Sequence, residues 1–60
     1  MKPDWNFAPD WAMWLGQDPD GDWYWYEAEP YPSDDGYRKR PGSRMDYAGN
    51  SPCVALESRP

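Results

Sequence analysis

Hydrophobic positions concentrate in one stretch of the chain. From Trp11 to Glu29, aromatic and apolar residues flank a polar knot, Asp18-Pro19-Asp20-Gly21-Asp22. Trp11 to Gln17 reads as a first strand and Trp23 to Glu29 as a second, because aromatic side chains pack well on a pleated surface. In the knot, Pro19 presets φ, Asp20 follows it comfortably, and Gly21 accepts the left-handed conformation. This is the recipe for a three-residue hairpin loop closed by a glycine bulge. With Asp18 opposite Asp22, Gln17 faces Trp23, Gly16 faces Tyr24, Leu15 faces Trp25 and Trp14 faces Tyr26. Alternation then puts Trp11, Met13, Leu15, Trp23 and Trp25 on one face. The other face takes Ala12, Trp14, Gly16, Tyr24 and Tyr26, with Tyr24 placed to cover the bare backbone of Gly16. A lone hairpin is unstable in water, so another element or another subunit must cover at least one face.

The flanks carry weaker patterns. Met1 to Pro9 reads as an extended arm, packed down by Trp5 and Phe7, and Pro9-Asp10 is a turn or cap signal. Pro30 ends the second strand. Ser33-Asp34-Asp35-Gly36 is a turn, and Tyr37 to Arg40 is a candidate short third strand. Pro41 to Asn50 is loop-like, Ser51 to Leu56 reads as a short strand or helical turn, and Glu57 to Pro60 is expected to fray. The expected fold is mostly β: a small antiparallel sheet built on the Trp11–Glu29 hairpin, a short third strand, and a loop-rich final third. One small domain over 1–60 is expected, with an arm (1–9), a β-rich core (10–40) and a tail (41–60).

Composition changes the picture in one respect. A chain of 60 residues buries only about 60% of the surface it exposes when unfolded. Leu15, Val54 and Leu56 are its only branched aliphatic residues, whereas Trp, Tyr and Phe make up 18%. The core must therefore be built from rings, each able to bury roughly 150–250 Å². A single Cys excludes an internal disulfide, and the absence of His excludes a Cys/His zinc site. The lone Cys53, between Pro52 and Val54, reads as a small buried hydrophobe. It fits a reducing compartment, and no stretch approaches the ~20 apolar residues of a membrane span. A cytoplasmic protein without membrane association is expected.

The net charge of −5 is unevenly spread. Residues 1–36 hold nine acids and one Lys, a balance of −8, and residues 37–60 hold five basic residues and two acids, +3. The acidic part contains the hairpin and favours basic partners. Its spacing also suggests chemistry. Asp18, Asp20, Asp22 and Glu29 stand at positions 1, 3, 5 and 12 of an EF-hand-like loop. Trp23 occupies the glycine position and the flanks read as strands, so the hairpin turn explains the knot better. Glu27 and Glu29 share a strand face but lack a cleft or an accompanying nucleophile, so catalysis is not expected. Neither a metal nor another cofactor is expected. Rings on a sheet with Arg38-Lys39-Arg40 and Arg44 suggest a nucleic-acid platform, which the net charge disfavours. The acids of 18–35 also resemble a ridge that mimics nucleic acid.

The run Trp11-x-x-Trp14-x-x-Gln17-Asp18-x-x-Gly21-x-Trp23-x-x-Tyr26-Glu27-x-x-Pro30 resembles a group of short bacteriophage and prophage proteins. The closing Leu56-Glu57-x-Arg59-Pro60 is similar to the ending of the same group. The resemblance implies a phage origin, a small β-rich fold and the cytoplasm of a bacterial host; it implies no activity. The expected function is a phage-encoded acidic interaction protein that modulates or inhibits a host protein with a basic surface, a nucleic-acid-handling enzyme being one such target. Trp14, Tyr24, Tyr26, Asp20, Asp22, Glu27 and Glu29 are its candidate partner-binding residues. The alternatives are a self-assembling structural phage protein, active as a homo-oligomer, and a binder of single-stranded nucleic acid.

Overall fold

The structure is a computed structural model that describes residues 3–51 and 56–60. The reading of Cys53 as a buried hydrophobe lies outside the described residues. The chain is mostly β. Six strands are present among the described residues: β1 (Trp14–Gln17), β2 (Asp22–Tyr26), β3 (Tyr31–Ser33), β4 (Gly36–Arg38), β5 (Met45–Asn50) and β6 (Leu56–Ser58). The main sheet is antiparallel throughout. β5, β2 and β1 form its body and β6 pairs on the free edge of β1, giving the order β5-β2-β1-β6. β3 and β4 form a separate two-stranded hairpin.

The β1–β2 hairpin has the register the loop chemistry dictates. Trp14 pairs with Tyr26, Leu15 with Trp25, Gly16 with Tyr24 and Gln17 with Trp23. The loop closes through Gly21 N–H to Asp18 O (2.9 Å) and Asp18 N–H to Asp22 O (2.9 Å). Gly21 sits at φ +95°, and a Cβ there would come within 2.8 Å of Ser51 O. Asp20 Oδ1 accepts the Asp22 N–H at 3.1 Å, a side-chain brace typical of aspartate in turns.

Both strands are shorter than the pattern suggests. Ala12 N–H bonds to Pro9 O at 3.0 Å, so the Pro9-Asp10 signal makes a turn and strand geometry starts only at Trp14. This breaks the alternation. Ala12 is fully buried in the core and Met13 is turned out to 49% exposure, the reverse of their expected faces. β2 ends at Tyr26, so Glu27 and Glu29 lie beyond the strand and do not share a strand face.

The core lies on one face of the sheet. Ala12, Leu15, Trp23 and Trp25 are buried together, with Trp5, Ala8, Trp11 and Ala48 packed around them. The N-terminal arm makes this possible. It contains a single 3-10 turn, Trp5–Phe7, capped by Asp4, whose Oδ1 accepts the Asn6 N–H. That turn sets Trp5 against Trp25 with ring centroids 4.9 Å apart. Phe7 does not pack the arm down as expected; it is 83% exposed. Burying one Trp removes roughly 150–250 Å² from water. At ~25 cal/mol per Å² this contributes about 4–6 kcal/mol before entropy is counted. Two such rings carry most of the core.

The outer strands come from the final third of the chain. Pro41 to Asn50, expected as loop, holds β5, which pairs along all of β2 with the register skipping Ala48. Gly49, at φ +125°, absorbs that bulge. Tyr37 and Arg38 do belong to a short strand, but β4 pairs with β3 and stands apart from the main sheet. Glu57 to Pro60 does not simply fray. Glu57 and Ser58 pair with Leu15 and Trp14. Arg59 N–H then bonds to Met13 O (2.7 Å) while its guanidinium reaches the carbonyls of Ala12 (2.6 Å) and Pro9 (3.3 Å). The same guanidinium lies 5.8 Å from the centre of the Trp5 ring. Arg59 thus ties the last strand to the turn that starts the first.

Candidate functional site

The second face of the sheet carries Trp14, Gly16, Tyr24 and Tyr26, joined by Tyr47 of β5 directly opposite Tyr24. The Tyr24 and Tyr47 rings meet edge to face at 5.6 Å, and Tyr24 and Tyr26 lie 6.5 Å apart. The result is a row of three phenols crossing β5 and β2. At the turn end of the row stand Asp18, Asp20 and Asp22.

Each aspartate there has a defined bond. Asp22 Oδ1 accepts Asn50 Nδ2 at 2.9 Å and the Tyr47 hydroxyl at 3.3 Å. Asp20 braces the turn as described. Asp18 Oδ1 accepts the Tyr37 N–H at 3.2 Å and so fixes the β3–β4 hairpin beside β1. The approach is close: a Cβ on Gly36, at φ +121°, would fall 2.3 Å from that same oxygen.

The hairpin changes what the second face offers. Tyr26, expected at the partner surface, is only 1% exposed, so it is not an accessible anchor. Its hydroxyl has no hydrogen-bond partner among the described residues. Burial first, then the charge of Asp18 and the Tyr24 and Tyr37 hydroxyls, push its pKa up to about 12. Tyr24 is half-buried and also raised, by loss of water first and then by Asp22, Asp18 and Asp20. Tyr47 is raised too, by loss of water first, then by the charge of Asp22 and the bond to it, and after these by Tyr24 and Asp20. Every resolved shift on this face has one direction: loss of water first, and the nearby acids after it, hold the phenols in their neutral, hydrogen-donating form.

Of the expected site residues, Trp14, Tyr24, Asp20 and Asp22 lie together at this face and its turn. Glu27 and Glu29 are at the far end of β2. Glu27 Oε1 accepts the Arg44 N–H at 3.0 Å, while Glu29 contributes its backbone carbonyl to Arg40 Nε at 2.9 Å. The EF-hand-like set is likewise divided, since Glu29 is separated from the aspartates by the length of β2. Among the described residues no three acids come together to hold a metal ion. No helix among them is long and apolar enough to cross a membrane.

Two contributors escape the sequence pattern. Tyr47 is 55% exposed, the most open ring of the row, and Asn50 anchors Asp22. Both lie in the segment expected as loop. The signal available was slight: one aromatic at Tyr47, followed by Gly49-Asn50. The chain matches no protein-family model, no curated protein and no solved structure.

Proposed function

We propose that the protein is a small interaction protein, encoded by a phage, whose acid-and-phenol face docks on a basic surface of a host protein and modulates or inhibits it. The observation that supports this reading is Tyr47, more than half exposed, standing beside Tyr24 and bonded to Asp22. Tyrosine is a typical interface anchor because a large, stiff ring buries area at little entropic cost and its hydroxyl finds a partner. Asp20 and Asp22 beside it suit a partner rich in Lys and Arg, and their charge speeds encounter with one. A nucleic-acid-handling enzyme is a fitting host target because its working cleft is basic.

The test is affinity capture from host lysate with the intact chain and two variants, Asp20→Lys and Tyr47→Ala. Both side chains are exposed, but Asp20 braces the turn and Tyr47 bonds Asp22, so circular dichroism and thermal melts check that each variant is folded at the assay temperature. The expected outcome is loss of the captured host protein by the folded variants. Capture of the same partner in the same yield by both variants overturns the reading.

A further inference from the structure

The basic residues gather at the opposite end of β2, on a turn that the fold holds rigid. Arg40-Pro41-Gly42-Ser43 is closed by Ser43 N–H to Arg40 O at 3.1 Å and Ser43 Oγ to the same carbonyl at 2.6 Å. Gly42 sits at φ +80°, as a Pro-Gly turn of this type requires. Both flanks are tied down. On one side Arg40 Nε donates to Glu29 O at 2.9 Å. On the other, Glu27 N–H bonds to Arg44 O (2.9 Å) and Arg44 N–H to Glu27 Oε1 (3.0 Å). From the cationic residues these bonds take only backbone groups and one guanidinium nitrogen, and they bring one acid, the Glu27 carboxylate, onto the turn. They leave the terminal nitrogens of Arg40 free, and the exposed side chains of Arg38, Lys39 and Arg44 make no hydrogen bond or ion pair among the described residues. In a chain with eleven acids and six basic residues, these four cations form no ion pair among the described residues, although the Glu27 carboxylate sits on the Arg44 N–H.

An aromatic ring completes the group. Tyr31 is paired across the β3–β4 hairpin with Arg38, is 39% exposed, and has the Arg40 guanidinium 5.5 Å from its ring centre. Cations that track a phosphate backbone beside a ring that accepts a base are the two parts of single-strand recognition. We infer that the Arg38–Arg44 turn with Tyr31 is a binding site for single-stranded nucleic acid. Arg38, Lys39 and Arg44 contact successive phosphates. Arg40 and Tyr31 form the stacking plate. The site is separate from the acidic face. β2 rises about 3.3 Å per residue, which sets the turn about 16 Å from Asp22. That is about two screening lengths at physiological salt, so the aspartates of the far turn are largely screened, and Glu27, engaged by the Arg44 N–H, is the acid that weakens the site.

The test is fluorescence anisotropy of the whole chain with a labelled oligothymidylate of about 15 nucleotides, set against an equally labelled oligoglutamate. Three phosphate contacts on a single strand give a log–log salt slope of about −2, or about a 15-fold loss of affinity between 50 and 200 mM salt. Joint replacement of Arg38, Lys39 and Arg44 by Ala is expected to flatten that slope. Tyr31→Ala is expected to cost about tenfold with the slope retained, and circular dichroism checks the fold of each variant. Two results overturn the inference. One is the absence of saturable oligonucleotide binding at low salt up to about 1 mM protein. The other is oligoglutamate binding of equal strength that ignores Tyr31, which would make the turn a dock for acidic protein.

Discussion

Tyr26 is a phenol whose buried hydroxyl finds no partner among the described residues. An unsatisfied buried hydroxyl costs about 1–3 kcal/mol. Tyr26→Phe is therefore expected to stabilise the protein by about 1 kcal/mol near neutral pH, seen as a higher urea midpoint. The pH dependence has a definite sign. The folded pKa of about 12 lies above the ordinary 10.0, so the native state holds its proton longer than the unfolded chain. The associated stability is present below pH 10 and is lost as pH rises towards 12. Tyr24 and Tyr47 are raised too and act in the same direction. Urea melts at stepped alkaline pH are expected to fall steeply for the parent and less so for Tyr26→Phe; parallel curves would refute the assignment. A second buried polar residue, Gln17, is satisfied on one side only, its Oε1 also having no partner among the described residues. Its Nε2 donates to Gly21 O at 3.1 Å and to Ser51 O, while Ser51 Oγ accepts Trp23 Nε1 at 2.7 Å. Gln17→Glu turns that donor into a carboxylate facing two carbonyls. It is expected to cost about 3 kcal/mol or more, measured by the same melts.

The two hairpins differ in what forms them. In β1–β2 the loop alone decides: Pro19 and Gly21 fix its geometry, and the whole pairing of Trp14–Gln17 with Trp23–Tyr26 follows. That register was legible because it depends on neighbours in sequence. The placement of Ala12 and Met13 was not, because the Pro9–Ala12 turn overrides alternation just before the strand. Nor was β5. Met45-Asp46-Tyr47-Ala48-Gly49-Asn50 has little strand propensity and is recruited by the open edge of β2, a tertiary demand no local pattern announces. The site follows the same division. Asp20, Asp22, Tyr24 and Trp14 were legible with the hairpin, whereas Tyr47 arrives with β5 and Tyr26 is removed by β3–β4. That second hairpin is short and docks through Asp18, so it is the element most open to disruption. Gly36→Ala puts a methyl group where the Asp18 carboxylate now lies and forces an L-residue to φ +121°. The expected cost is about 1–3 kcal/mol. Tyr26 becomes exposed, so an ultraviolet tyrosinate titration should show its pKa falling towards the ordinary value.

Across the whole molecule the two sheet faces are treated differently: the arm with Trp5 covers one, and the β3–β4 hairpin packs beside β1 on the other, leaving Tyr47 of β5 open. The radius of gyration is 10.3 Å, that of a well-folded chain of this length, reached with an aromatic core. Arg59 holds the two ends of this arrangement together. Arg59→Ala is expected to remove about 2 kcal/mol of charge-assisted bonding, lowering Tm by about 10 °C. Arg59→Lys should rescue little of it, since an ammonium cannot fork across the carbonyls of Pro9 and Ala12. An unchanged melt for Arg59→Ala would show the clasp to be ornamental. The strand that carries Arg59 also dictates timing. β6 pairs with β1 although more than half the chain lies between them, so during synthesis the first hairpin must wait. At 5–20 residues per second that interval lasts on the order of seconds, with the edge of β1 open and ready to pair with a neighbouring chain. Whenever β6 is undocked that edge is the one exposed to self-association, so a variant that weakens the Arg59 clasp is expected to aggregate at lower concentration than the parent, as light scattering would show.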